Sequence, residues 1–87
     1  MANVNKTVEL FALSTCGWCR KTREWLDQHA VEYELHYVDK AQDDELAMLK
    51  QRMQRFSERM AFPLVVVDDG RRVIQGYHPE DMEEELA

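Results

Sequence analysis

Two cysteines, two prolines and three glycines are all that 87 residues contain of those types. Two cysteines are too few for the disulfide framework of a small secreted scaffold, and only two residues separate them. A bridge across so short a loop restricts the unfolded chain little, so a static staple is a poor reading of the pair. No apolar run approaches the ~20 residues that cross a bilayer. The stretch 1–6 lacks a signal-peptide core, and Val8 to Leu13 is short and interrupted by Glu9. A cytoplasmic location with no membrane association is the resulting expectation. Positive charge is also in deficit: 11 Lys and Arg stand against 17 Asp and Glu, a net charge of −6. That balance argues against nucleic acid as a partner. Neither an internal repeat, a low-complexity tract nor an inter-domain linker is visible, so residues 1–87 read as one small domain.

The chemistry that remains gathers in Ser14-Thr15-Cys16-Gly17-Trp18-Cys19-Arg20-Lys21. An apolar extended run, residues 7–13, leads into this stretch, and a helical pattern follows from Gly17 to about Ala30. Cys16 therefore belongs at a helix N-terminus, where unpaired backbone N–H groups favour the thiolate, the reactive form of cysteine. Cys19 lies three positions on, along the same helical face, within reach of the first sulfur. One sulfur is placed to attack and the other to resolve. A half zinc site is the competing reading of such a pair. It needs two more ligands from His29, His36 or His78, which show no paired spacing. No metal is expected, and no tightly bound cofactor.

Residues 33–38 alternate apolar and polar and predict a strand with Tyr33, Leu35 and Tyr37 on one face. A second helix is predicted over about 43–59. Its Leu46, Leu49, Met53, Phe56 and Met60 form the core stripe, with acids at its start and bases toward its end. Leu64 to Val67 is a dense β-branched strand. Asp68-Asp69-Gly70 is a turn and 71–75 the returning strand of a hairpin. Pro79 suits the first turn of a last helix, with Met82 and Leu86 facing inward. The order β-α-β-α-β-β-α gives an α/β fold, a four-stranded mixed sheet flanked by three helices.

With Cys16-Gly17-Trp18-Cys19 opening a helix after the first strand, the chain resembles the thioredoxin superfamily, and in size and element order its glutaredoxin branch. Two further motifs carry the resemblance. Phe62-Pro63 stands just before the third strand, where the family has a cis-proline beside the redox pair. Gly76-Tyr77 stands after the fourth, where the family has a glycine turn lining the same cleft. The run Gly76-Tyr77-His78-Pro79-Glu80 is similar to that of the redoxins serving ribonucleotide reductase. The resemblance implies a thioredoxin fold and a dithiol glutaredoxin-like oxidoreductase with Cys16 and Cys19 as catalytic residues. It implies disulfide-containing proteins as partners, and glutathione as possible co-substrate or a thioredoxin reductase as electron source. Backbone pairing of substrate at Phe62 is part of the same implication.

Trp18, between the thiols, is a candidate substrate contact, as are Phe62, Pro63, Gly76 and Tyr77. Arg20 and Lys21 form with Arg23 the basic cluster nearest the thiols. The family's lysine three residues before the first cysteine is Leu13 here, and Arg20 and Lys21 are the candidates to replace its charge. Gly17 stands where the family often has proline. That leaves an alternative function open: iron–sulfur cluster binding through Cys16 and glutathione at a dimer interface. The leading reading takes the protein as a monomer.

Overall fold

A computed structural model describes residues 6–86. The expectation about the first few residues lies outside that range, as does the last residue of the expected domain. Seven principal elements follow one another: β1 (Val8–Ala12), α1 (Gly17–Gln28), β2 (Glu34–Tyr37), α2 (Asp43–Phe56), β3 (Leu64–Val67), β4 (Arg72–Gln75) and α3 (Pro79–Leu86). The sheet runs β2-β1-β3-β4, with β1 parallel to β2 and the other two pairs antiparallel. This is the mixed four-stranded sheet and element order that the sequence predicts.

Period-two alternation divides the core between the two faces of the sheet. Val8, Leu10 and Ala12 of β1, with Val65 and Val67 of β3, pack against Trp25 and Leu26 of α1 and Met82 and Leu86 of α3. Phe11, Leu64 and Val66 turn the other way and pack with Met53, Leu46, Leu49 and Phe56 of α2. All four residues of β3 are buried, because a central strand covered by helices on both sides has no wet face. That explains an unbroken apolar run there, against the alternation of β2 at the sheet edge.

Helix ends are where the expected bounds shift. α1 stops at Gln28 rather than near Ala30. Ala30 adopts φ 55°, its N–H bonds to Asp27 O, and Val31 N–H bonds to Leu26 O, the paired bonds of a Schellman closure. α2 ends at Phe56 instead of 59. Ser57 is extended, and its hydroxyl accepts the Arg59 N–H, competing with helix continuation. Met60 therefore leaves the predicted core stripe and is 39% exposed. Each strand except β3 is also shorter than predicted by one or two residues. The turn after β3 takes positive φ at Asp68, Asp69 and Gly70. Gly70 sits there under the Phe56 ring, which a Cβ at that position would strike.

Candidate functional site

The loop between β1 and α1 is held from both ends. Cys16 N–H bonds to Leu13 O at 3.2 Å, closing a tight turn. The Ser14 N–H and hydroxyl both donate to the carboxylate of Asp39, just past β2. Cys16 then caps α1. Its backbone is extended, and its Sγ accepts the Cys19 N–H at 3.2 Å. A sulfur in that position receives one of the orphan donors of the helix's first turn, an interaction that strengthens when the sulfur carries charge.

The two sulfurs differ in access. Both cysteines are free thiols; Cys16 is half-buried, whereas Cys19 is 1% exposed. Burial, reinforced by its hydrogen bond with Cys16 and by the charge of Asp39, pushes the Cys19 thiol up to about 12. Cys19 thus keeps its proton at neutral pH. The linkage has a definite sign: above the ordinary thiol range the unfolded chain gives up a proton that the folded one retains. Stability therefore falls as pH rises through that window toward 12. A chemical consequence is that iodoacetamide at pH 7.5 should modify Cys16 of the reduced, folded protein and leave Cys19 unmodified. Peptide mapping by mass spectrometry checks this. Equal labelling of both would contradict the described asymmetry.

Trp18 is 59% exposed and stacks on Tyr77, ring centroids 5.7 Å apart at 23°. Its carbonyl accepts the hydroxyl of buried Thr22, and Lys21 Nζ lies 5.8 Å from the indole centroid. Beside this stack, Trp18, Phe62, Pro63, Gly76, Tyr77 and His78 line a hollow of about 290 Å³. The Phe62–Pro63 bond is cis, and Pro63 O accepts the Gly76 N–H at 2.8 Å. Gly76 has φ 93°, and an added Cβ would crowd the His78 ring. The structure thus brings together Trp18, Phe62, Pro63, Gly76 and Tyr77, drawn from three separate segments.

A second hollow of about 450 Å³ contains both cysteines together with Leu13, Ser14, Arg20, Arg23 and Tyr37 among its lining. Arg20 is exposed and 3.7 Å from Glu24, a weak surface pair. Lys21 lines neither hollow; its contact is with Trp18. Arg23 donates to the Tyr37 hydroxyl. Sequence reading missed Tyr37 as a site residue because it registers only as a core-facing strand position. Asp39 was missed as well, for it reaches Ser14 only across the chain; His78, though it follows Gly76-Tyr77 in the same run, was not read as lining the hollow.

Among the described residues, no group of potential zinc ligands gathers at the cysteine pair. Among the described residues, Glu9, Glu34 and His36 are the group whose ligand atoms lie within 4.8 Å of one another, and it holds no cysteine. Arg52 already donates to both Glu9 carboxylate oxygens, and chiefly that contact holds the Glu9 carboxyl below its usual range. None of the described helices is long and apolar enough to cross a membrane.

Comparison with known proteins gives a consistent picture. The family model described as Glutaredoxin matches residues 8–73. Glutaredoxin 1 of Rickettsia bellii is 30% identical over 60 residues, which are 69% of this chain but only 60% of that relative's length. The crystal structure of Methanosarcina acetivorans methanoredoxin superposes with a TM-score of 0.87 at 28% identity, covering 93% of this chain and 84% of that one. The glutaredoxin of Archaeoglobus fulgidus gives 0.81 at 29% identity, with 90% and 83% covered.

Proposed function

Because the chain belongs to the glutaredoxin family, we propose that it is a single-domain dithiol oxidoreductase of disulfides. One observation carries this reading: the accessible Cys16 sulfur caps α1 and is bonded to the amide of a buried, protonated Cys19. Cys16 attacks as the thiolate, forming a mixed disulfide and expelling one substrate sulfur as a thiolate. Cys19 then attacks the Cys16 sulfur, its proton passing to the departing substrate sulfur. The second substrate sulfur leaves, and a Cys16–Cys19 disulfide remains. Two electrons have passed from the protein to the substrate. An external thiol or a reductase returns them.

The resolving step is suited to a thiol that stays protonated until needed. A buried Cys19 is not consumed by competing disulfides in solution, yet it sits one turn from the sulfur it must reach. Substrate chain is taken along the hollow lined by Trp18, Phe62, Pro63, Gly76 and Tyr77. The aromatic pair supplies apolar contact there, and the backbone at Phe62 is available for strand-like pairing. Protein disulfides and glutathione mixed disulfides are both within this reading, with glutathione as co-substrate. The protein acts as a cytoplasmic monomer without a tightly bound cofactor.

A paired turnover assay tests the proposal. One arm supplies glutathione and its reductase, the other a thioredoxin reductase, each with a glutathionylated peptide and with insulin as oxidised substrates. Turnover in either arm that requires Cys16 is the expected result, and the productive arm identifies the electron source. Cys19→Ser should lose insulin reduction while retaining turnover of the glutathionylated peptide. The protein should be colourless after anaerobic purification. Open space beside Gly17, where a Cβ would meet nothing within 4 Å, leaves room for a cluster carrier instead. A brown protein without disulfide reductase activity would replace the present reading with that one.

A further inference from the structure

Away from the cysteines, β1 and β2 bring three metal-binding side chains to one point. Glu9 and Glu34 are direct partners in the parallel register of these strands. Like charges so placed repel each other. His36, two residues along β2, stands between them. Its Nε2 lies 2.9 Å from Glu34 Oε1 and 3.4 Å from Glu9 Oε2. Neither oxygen lies where a ring N–H would point, so the buried Nε2 has no hydrogen-bond partner among the described residues. Unpaired buried nitrogens of that kind are costly and uncommon. The separations fit coordination instead. Ligands ~2.0–2.1 Å from one ion stand roughly 2.9 Å apart at right angles and roughly 3.4 Å apart in a tetrahedron.

We infer that Glu9, Glu34 and His36 form a binding site for a divalent transition metal of the zinc class. Their ligand atoms all lie within 4.8 Å of one another. One imidazole with two carboxylates suits Zn²⁺, with water completing the shell. The neighbours hold the ligands in place. The His36 ring packs on Phe11, centroids 4.9 Å apart. Arg52 grips both Glu9 oxygens, but a carboxylate has about four acceptor sites, so positions for an ion remain. An outer partner of this kind is usual for a metal-ligating carboxylate. Asp69 offsets the charge of Arg52, which leaves the charges of Glu9 and Glu34 to match a dication. The Glu34 side chain is 70% exposed and free to close on the ion. All three ligands line a hollow of about 910 Å³, which gives the ion its path. Binding ties the edge strand β2 to its neighbour β1. The inference stands apart from the disulfide chemistry.

Zinc titration of the full chain carrying Cys16→Ser and Cys19→Ser reads the site with no thiol competing for metal. Calorimetry at neutral pH should show saturable binding of one Zn²⁺ per chain. Cobalt(II) in its place should give visible d–d absorption. In imidazole nitrogen-15 spectra with zinc, His36 Nε2 should move while the rings of His29 and His78 stay. Glu34→Gln, at an exposed position, and His36→Gln should each weaken zinc binding by at least about tenfold, since even outer partners of metal ligands are worth that much. Glu83→Gln, which removes the same charge from the exposed surface of α3, should leave the affinity within about twofold. Saturating zinc should raise Tm in the parent chain and not in its Glu34→Gln variant.

Should the double-serine chain fail to fold, the unaltered chain is titrated and the His36 ring resonance decides. Should His36→Gln fail to fold, Glu34→Gln alone decides through its affinity. Heat that never saturates would overturn the inference, as would an affinity that Glu34→Gln leaves unchanged. Shifts centred on His29 or His78 with His36 unmoved would place the ion elsewhere and overturn it too. So would a loss in Glu83→Gln as large as in Glu34→Gln, since that would mean diffuse attraction to an acidic surface and no local site.

Discussion

Cys16→Ser is expected to lower disulfide reductase turnover by at least about a thousandfold while leaving the fold in place. A serine hydroxyl is far too weak a nucleophile at neutral pH, and nothing in the hollow is a base that would activate it. Serine is, however, among the preferred residues at a helix N-cap. Its oxygen can accept the Cys19 N–H that Sγ now accepts. Circular dichroism and thermal melting should therefore match those of the unaltered protein closely. Activity within tenfold of the original would mean that another group performs the attack. A lost fold would mean that the sulfur's role is structural, contrary to the cap geometry.

Leu26→Ala is expected to produce the largest loss of stability tied to the site. Leu26 is 0% exposed and packs in the core layer between α1, the sheet and α3. Removing its isobutyl group forfeits transfer free energy and leaves a cavity, for about 2–5 kcal/mol. A domain of this size has only ~5–15 kcal/mol in total. A fall in Tm of at least about 10 °C follows from the usual slope for small domains. Because Leu26 belongs to the helix that Cys16 caps, activity should decline at temperatures below the main transition as α1 loosens. A change under 1 kcal/mol in a denaturant titration would contradict the packing described.

Most of the fold was legible because its signals are local. The run Leu64 to Val67 announces a doubly covered strand by the absence of any polar position. Pro79 followed by acids announces the last helix. Helix ends were less legible because side chains decide them against the hydrophobic period. Ser57 halts α2 although the apolar spacing continues to Met60, and Ala30 closes α1 in a conformation for which glycine is the usual signal.

At the site, Cys16 and Cys19 could be paired from spacing alone, since three residues on a helix is a distance the sequence states. Contacts across the chain are another matter. Asp39 meets Ser14 from 25 residues away, and Tyr77 meets Trp18 from a different element altogether. Nothing local distinguishes Tyr37 from a core strand residue, yet its hydroxyl orients Arg23 beside the cysteines. Lys21 and Arg20 are adjacent in sequence, but a helix turns by roughly 100° between neighbours. One faces the Trp18 ring while the other borders the cysteine hollow.

The division of labour between the two sulfurs is tested most directly by trapping the intermediate. Reduced Cys19→Ser is mixed with glutathione disulfide, quenched in acid and mapped by mass spectrometry, alongside Cys16→Ser and the unaltered protein. One glutathione on Cys16 should accumulate in the first, no adduct should form on Cys19 in the second, and the third should finish as the internal disulfide. An adduct that forms on Cys19 in Cys16→Ser as fast as on Cys16 in Cys19→Ser would contradict the assignment.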